Sequence, residues 1–285
     1  MPKLLKVLIN LVVVGLLAGL AYGLYSYSDE IQDWWVLRSY QPPANISQLA
    51  DQASMNEQGR RLFYRANPEI TADRNQLAER CRIQDANTIE LGCYLSTNKI
   101  YLLDVQQADL ADEMPVTAAH EMLHAAYDRL SRQERDQLNT ELRRFYSTIV
   151  DPKLKERLAV YAKLDAGDQL NELHSILGTE RAVLSPQLER YYSRYFNDRT
   201  VVVAANDRFN RTFDGLRAEI DALNQEIEAT RAKMNVQLAR GQVIAYNAQV
   251  PAINAKISTY NAKVDQYNRY ASALLGREQV APATQ

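Results

Sequence analysis

The sequence predicts an α+β protein in three parts: one transmembrane helix, a mainly helical domain with a small sheet, and a coiled-coil helical hairpin. Three observations support this prediction. An uncharged apolar run lies near the N-terminus, short alternating strands precede a series of capped helices, and apolar residues later repeat at heptad spacing. The predicted parts are residues 1–27, 28–200 and 201–275, followed by a disordered tail at 276–285.

The composition is that of a folded protein. Of the 285 residues, 46% are apolar, which is enough for one core with appendages. The 33 basic and 35 acidic side chains leave a net charge of −2, so we expect no nucleic-acid partner.

The N-terminal run from Val7 to Tyr25 contains no charged residue and is long enough to span a bilayer as a helix. Lys3 and Lys6 precede it and acidic residues follow from Asp29 onward, so the positive-inside rule places the N-terminus in the cytoplasm. We therefore expect a single-pass protein of the cell membrane with an extracytoplasmic domain. A cleavable signal peptide is the alternative, since residues 21–23 resemble a cleavage site, although the apolar run is longer than is usual there.

The only cysteines, Cys81 and Cys93, are predicted to form a disulfide. The expected topology places them in an oxidising compartment, and a bridge would close a short loop between them. Free thiols and metal ligation are the alternatives. The spacing matches no CxxC-type metal site, which argues against ligation.

The middle part predicts strands followed by helices. Residues 91–105, LGCYLSTNKIYLLDV, alternate and carry Ser-Thr-Asn at their centre, which indicates two short strands joined by a turn. Residues 56–70 and 73–81 are predicted to be polar helices. Later helices are expected to begin at four cap signals: Asp112 or Pro115, Ser131 with Glu134, Asp151-Pro152 and Ser185-Pro186.

Two heptad patterns predict the hairpin. One runs from Phe209 to Ile227 and the other from Tyr246 to Tyr267, each with alternating spacings of four and three. Gly241 lies between them and Pro251 interrupts the second, so the chain is expected to fold back near residues 239–251. One kinked helix that dimerises is the alternative, with a coiled-coil partner or self-association. A bracing role without chemistry is favoured for this part.

The chemistry is concentrated in VTAAHEMLHAAYDRL, residues 116–130, which holds two of the three histidines of the chain. His120 and His124 lie four residues apart, so one helix face can present both imidazoles to a single ion. Glu121 is rotated about 100° from His120, beside the ion, where it can accept a proton from water. Zinc with three protein ligands lowers the pKa of a bound water to about 7. The segment therefore predicts one Zn²⁺ per chain, with Glu121 as general base and then as the acid that protonates the leaving amine.

Two neutral core histidines are the alternative interpretation. Burying them beside Glu121 would require partners for three polar groups, which makes this arrangement costly. The flanks of the motif are uncharged and compatible with a helix, as expected of a ligand helix beside its domain core.

The third ligand is not fixed by this segment. The extended HExxHxxGxxH form is excluded, because Tyr127 and Leu130 stand where its Gly and His would be. The next candidate cluster, GDQLNELHSILGTE at residues 167–180, offers Glu172, His174 and Glu180.

NELHS at residues 171–175, together with HEMLH at 120–124, resembles the gluzincins. In these thermolysin-like zinc peptidases, a Glu within N-E-x-x-S or N-E-x-x-A on a later helix completes the zinc sphere. The resemblance implies a zincin-like domain, Glu172 as the third ligand, and a peptide or protein substrate. The sequence departs from the family at Ile176, where these enzymes carry an Asp that supports a ligand His. Asp128, one turn after His124, is the candidate replacement.

Helical phase leaves the assignment open. Glu172 and His174 lie about 200° apart on a helix, so both cannot reach one ion. His174 and Glu180 therefore remain alternative ligands or supporting groups. In gluzincins an edge strand over the active-site helix pairs with the peptide, and residues 98–105, NKIYLLDV, are the expected equivalent.

Two functions of different classes follow. The first is a membrane-anchored, extracytoplasmic zinc metallopeptidase. The second is a non-enzymatic envelope scaffold that acts through its coiled coil and carries a structural or vestigial metal site. Glu121 favours the enzyme, because a structural site gains nothing from an ionisable, unligated carboxylate beside its ligand.

Overall fold

The computed structural model of the protein describes residues 3–81, 91–161 and 165–275. The protein is mainly helical with a small three-stranded sheet, which confirms the predicted fold class at this level. The chain divides into two compact units, Met1–Ala44 and Asn45–Gln285. The tail predicted at 276–285 lies outside the described residues.

The first unit contains α1 (Lys3–Ser26) and α2 (Ser28–Leu37). The predicted N-terminal helix is thus present. Among the residues that the structure describes, no helix combines the length and the apolarity needed to cross a bilayer.

The second unit carries the sheet and the remaining helices. In chain order these elements are α3 (Ala44–Gln52), α4 (Glu57–Arg65), β1 (Glu69–Thr71), α5 (Arg74–Cys81), β2 (Gly92–Leu95), β3 (Lys99–Leu103), a 3₁₀ turn (Ala108–Leu110), α6 (Glu113–Asp128), α7 (Arg132–Thr148), α8 (Pro152–Val160), α9 (Ala166–Glu180), α10 (Pro186–Tyr192), α11 (Thr200–Ala239) and α12 (Val243–Leu275).

The residues predicted to cap these helices stand at their N-terminal ends. Asp112 is the N-cap of α6, and α8 starts at Pro152. Ser131 and Glu134 form a complete capping box on α7, in which each side chain satisfies a backbone N–H of the other. Ser185 accepts a hydrogen bond from the backbone of α10.

The sheet has the order β1-β3-β2. The two predicted strands are confirmed as an antiparallel pair, with Gly92 opposite Leu102. The prediction of an unbroken helix over residues 56–70 is wrong, because α4 ends at Arg65 and β1 pairs in parallel with β3. The prediction that residues 98–105 form the edge strand is also wrong. Among the described strands β3 is central and β2 lies at an edge, since β1 occupies the other side of β3.

The predicted disulfide is confirmed and joins the end of α5 to β2 through Cys81 and Cys93. Gly92, the residue before Cys93, lies against α6. A Cβ added at Gly92 would come within 2.7 Å of the Thr117 methyl group. The bridge therefore holds one end of the strand that packs on the motif helix.

Helix α6 lies in the core. Twelve of its 16 residues are buried, in agreement with the uncharged flanks of the motif. Helix α9 crosses it closely at Gly178, where a Cβ would lie 2.4 Å from Leu123 Cδ1 and 2.8 Å from Tyr192 Cε1. Both of those side chains are fully buried, so only glycine permits this approach.

Arg199 fixes the end of α9. Its side chain is 4% exposed and forms two hydrogen bonds with the Glu189 carboxylate, at 2.6 and 3.2 Å. Its guanidinium also donates to the backbone carbonyls of Arg181 (2.6 Å), Ala182 (3.3 Å) and Gly178 (3.4 Å). The buried Arg199 therefore satisfies carbonyls that the helix leaves without partners. Its positive charge is also stabilised by the negative end of the helix dipole.

The two C-terminal helices form the predicted hairpin. They join at residues 240–242, where Gly241 has a φ of +70° that favours glycine. Lys256 pairs with Glu226 and Lys263 with Glu219, each at 2.6 Å, which shows that the helices run antiparallel. The kinked single helix is therefore wrong, and so is the interruption at Pro251, which lies inside α12. Whether the pair supercoils and binds a further helix stays a prediction.

Replacement of Gly178 by Ala tests the contact between α6 and α9. We expect Gly178→Ala to lower the free energy of unfolding by about 1–3 kcal/mol, because the added methyl group overpacks a filled core. Urea unfolding followed by circular dichroism measures the change.

Gly215→Ala is the matched control. Gly215 lies in α11 with open space where its Cβ would be, so the same substitution should raise stability by about 0.5–1 kcal/mol. A Gly178→Ala protein as stable as the unmodified chain would show that the contact has room to relax.

Candidate metal centre

Helices α6 and α9 bring together two imidazoles and one carboxylate. Glu172 Oε1 lies 3.5 Å from His124 Nε2, and Glu172 Oε2 lies 3.6 Å from His120 Nε2. The three candidate ligand atoms lie within 4.8 Å of one another, and within the described ranges these residues are the one group of three with such geometry. The i,i+4 spacing predicted the histidine pair, whereas the placement of Glu172 depends on the crossing of the two helices.

The donor set fits zinc. Two ligand atoms bound at about 2.0–2.2 Å to a tetrahedral ion lie about 3.3–3.6 Å apart. The two nitrogen–oxygen separations, each to a different oxygen of the Glu172 carboxylate, are close to this range. Two imidazole nitrogens and one carboxylate form a ligand set typical of catalytic zinc, which leaves a fourth position for water. A closed structural site would have four protein ligands.

Glu121 lies next to the first histidine on α6 and is 6% exposed. Its charge raises the pKa of His120, so its carboxylate lies near that imidazole. Glu121 does not belong to the ligand group, which we define as His120, His124 and Glu172.

The two histidines differ in their electrostatic surroundings. Burial by itself lowers the pKa of His120, but Glu172, Glu121 and Glu180 together outweigh burial and raise it. Burial and the neighbouring His120 lower the pKa of His124 to about 4. When no ion is bound, the surrounding carboxylates therefore favour a proton on His120 over a proton on His124.

His174 is buried inside the domain. It is fully buried, and its ring lies 5.3–5.5 Å from the rings of Tyr127, Tyr191 and Tyr192. Neither ring nitrogen has a hydrogen-bond partner in the described part of the chain. Burial lowers the pKa of His174 well below its usual value, so the ring is neutral. His174 thus does not join the ligand group. It is not a hydrogen-bonded supporting group either, because neither ring nitrogen has a partner among the described residues.

The other two candidates occupy different places. Glu180 lies near enough to contribute to the raised pKa of His120 but is outside the ligand group. Asp128 lies beside Tyr94, whose pKa is raised to about 12 by burial and by the Asp128 carboxylate. No hydrogen bond or ion pair joins Asp128 to either ligand-group histidine within the described residues, so the supporting role expected for it has no contact here.

Two features of the site were not predicted. Asn171, adjacent to Glu172, lies beside His124. Two tyrosines of the segment ERYYSRYF, residues 189–196, pack against the His174 ring: Tyr191 and Tyr192. The Tyr192 hydroxyl also donates a 2.7 Å hydrogen bond to the backbone carbonyl of His174. The high tyrosine content of that segment was the available signal, but its packing partner could not be known.

Comparison of the chain with protein-family models, with curated proteins and with solved structures finds no match. The chemistry of the site itself is therefore the guide to its function.

Because two histidines are buried with lowered pKa values, we expect the free energy of unfolding of the metal-free protein to depend on pH. Below pH 6.5 the unfolded chain takes up protons at His124 and His174, whereas the folded chain resists protonation at both because their pKa values are lowered. His120 acts in the opposite sense, and the stability it contributes is already complete below pH 6.5. The free energy of unfolding of the metal-free protein should therefore fall as the pH falls from about 6.5 toward 5. Urea unfolding after chelator treatment measures this.

His174→Phe is the matched variant, because it keeps an aromatic ring in the tyrosine cage. It should reduce the pH slope by about one proton, which is roughly 1.4 kcal/mol per pH unit, and leave metal binding unchanged. The other two histidines of the chain are present in both proteins, so the difference in slope reports on His174. An unchanged slope would contradict the buried, neutral state of His174.

Proposed function

We propose that the protein is a zinc-dependent metallopeptidase whose site is formed by His120, His124 and Glu172, with Glu121 as the general base. The observation that carries the proposal is the convergence of three zinc-type ligand atoms beside a buried carboxylate that is not one of them. Zinc bound there would act as a Lewis acid and lower the pKa of water to about 7.

The roles of the side chains follow from their positions. The two imidazoles and the Glu172 carboxylate would hold the ion, and the packing of α6 on α9 orients these three side chains. Glu121 accepts a proton from the attacking water and later gives it to the leaving amine. Because Glu121 is 6% exposed, bulk water does not screen its charge, which strengthens its interaction with groups at the site.

Strand β2 is the proposed docking edge for an extended peptide. It lies at one side of the sheet among the described strands, and Gly92 at its start packs on α6 beside Thr117. Backbone hydrogen bonds to such an edge bind a peptide largely independently of its sequence. The proposed substrate class is therefore an extended or unfolded polypeptide segment.

We also propose that the chain is held at a membrane by its N-terminal unit, with the second unit on the extracytoplasmic side. Large apolar side chains are exposed on several faces of α1, among them Leu11, Val14 and Leu16. A helix that is apolar all round needs a nonpolar environment. In α2, Trp34 and Trp35 are exposed and the Arg38 guanidinium lies 5.0 and 5.2 Å from their ring centroids, an arrangement that suits a lipid interface.

The scaffold remains the second candidate, and one observation favours it. Two surface cavities, of about 450 and 310 Å³, are lined by residues around Arg61 and around Leu188, and neither is lined by the ligand-group histidines. In a scaffold, the metal would only stiffen the crossing of α6 and α9, and partners would bind at other surfaces such as these cavities. A role for Glu121 in catalysis separates the two candidates.

Glu121→Gln tests the proposed function. The variant should bind zinc as the unmodified chain does, because Glu121 is not a ligand, and should lose peptidase activity by roughly 10²–10⁴-fold through loss of the general base. A mixture of unfolded proteins, digested by the zinc-loaded full chain and analysed by mass spectrometry, provides the assay.

Glu113→Gln is the matched control, since it makes the same change in the first turn of the same helix. It should leave both zinc and activity intact. Equal activity of Glu121→Gln and the unmodified chain would remove Glu121 from the mechanism. A fully zinc-loaded chain that cleaves nothing would favour the scaffold.

A further inference from the structure

The tip of the C-terminal hairpin exposes aliphatic side chains. Val236, Leu238 and Val243 are 49%, 51% and 50% exposed, and Ile244 is 88% exposed. These residues lie on both sides of the turn at 240–242, at the end of two helices that bury their own seam. The hairpin therefore does not bury these aliphatic side chains in its own packing.

The same end of the hairpin is basic. Residues 229–264 contain five basic side chains and no acidic one. Three of the cations are paired: Lys256 with Glu226, Lys263 with Glu219 and Arg231 with Glu228.

The remaining two, Lys233 and Arg240, are exposed and have no ion pair within the described residues. They are the basic side chains nearest the aliphatic tip in the sequence. The free positive charge of the distal hairpin is therefore concentrated beside the exposed aliphatic groups.

The tip is far from where the hairpin joins the rest of its unit. Arg208 forms an ion pair with Asp112 through two hydrogen bonds of 2.6 and 2.8 Å, and the Tyr270 hydroxyl donates a hydrogen bond to Asp109. From Arg208 to Arg240 the helix rises about 48 Å. The arm is thus anchored at its base, and its aliphatic end reaches well beyond the metal centre.

We propose that this tip, residues 235–245, docks on an anionic lipid surface. The aliphatic side chains enter the headgroup region while Lys233 and Arg240 bind lipid phosphates, which is the combination that binds peripheral segments to acidic bilayers. A protein partner fits less well, because a stable interface needs about 800 Å² on each side and is enriched in aromatic residues. The tip is a narrow helical turn, and residues 235–245 contain no aromatic residue.

A fluorescent label at the tip tests the proposal. The two native cysteines are paired, so Ile244→Cys in the full chain introduces a single thiol for a polarity-sensitive dye. Vesicles of phosphatidylcholine mixed with phosphatidylglycerol should shift the emission to the blue, and vesicles of phosphatidylcholine alone should not. The signal is local, so attachment through the N-terminal unit does not produce it.

Two controls make the result decisive. A dye at Ala222→Cys, exposed on the same arm but remote from the tip, should not shift. Lys233→Gln combined with Arg240→Gln should raise the lipid concentration at half-response by roughly thirtyfold, about fivefold for each cation removed. Absence of a shift with the mixed vesicles would overturn the proposal. A shift without lipid that grows with protein concentration would overturn it in favour of contact between copies of the chain.

Discussion

The close crossing of α6 and α9 is the constraint on which the candidate site depends. Gly178 lets the helices approach where a Cβ would meet Leu123 at 2.4 Å, and the buried Arg199 holds the carbonyl end of α9 in place. With the helices fixed, Glu172 can lie 3.5–3.6 Å from both imidazoles. A shift of α9 by even an ångström would change the distances between ligand atoms enough to alter metal affinity.

This crossing also explains why polar groups are found in the core. Glu121, His124 and His174 are all buried, and burial of each has a cost in the metal-free protein. An ion bound by the two ligand-group histidines would offset part of that cost, since it needs them neutral and deprotonated. His174 is different, because it lies behind the site in a cage of tyrosines and neither of its nitrogens has a hydrogen-bond partner in the described chain.

Local signals in the sequence predicted much of this protein. The capping box at Ser131, the Cys81–Cys93 bridge and the hairpin hinge near Gly241 depend on residues close in sequence, and all three are confirmed. Strand β1 could not be predicted in this way, because its three residues are held by pairing with β3, some 30 residues later. Pro251 misled the prediction for a related reason: packing against α11 keeps α12 helical through a residue that would break an isolated helix.

In the candidate site, too, features that depend on nearby residues were predictable, and features that depend on contacts between distant elements were not. The spacing of HEMLH predicted the shared face of the two histidines, and helical phase predicted that Glu172 and His174 cannot both reach one ion. Phase alone could not show which of them faces α6, because that depends on how α9 is rotated in the fold. Asp128 follows His124 by one helical turn, and for that reason it was expected to support this histidine. In the fold the Asp128 carboxylate lies beside Tyr94.

The zinc content of the full chain tests the central claim most directly. The protein would be equilibrated with zinc, freed of loosely bound metal and measured by elemental analysis beside Glu172→Ala and Glu180→Ala, two identical changes on one helix. The geometry predicts one zinc per chain for the unmodified protein and for Glu180→Ala, with loss of the metal in Glu172→Ala. Less than about half an equivalent in the unmodified protein, or retention of full zinc by Glu172→Ala, would contradict the assignment.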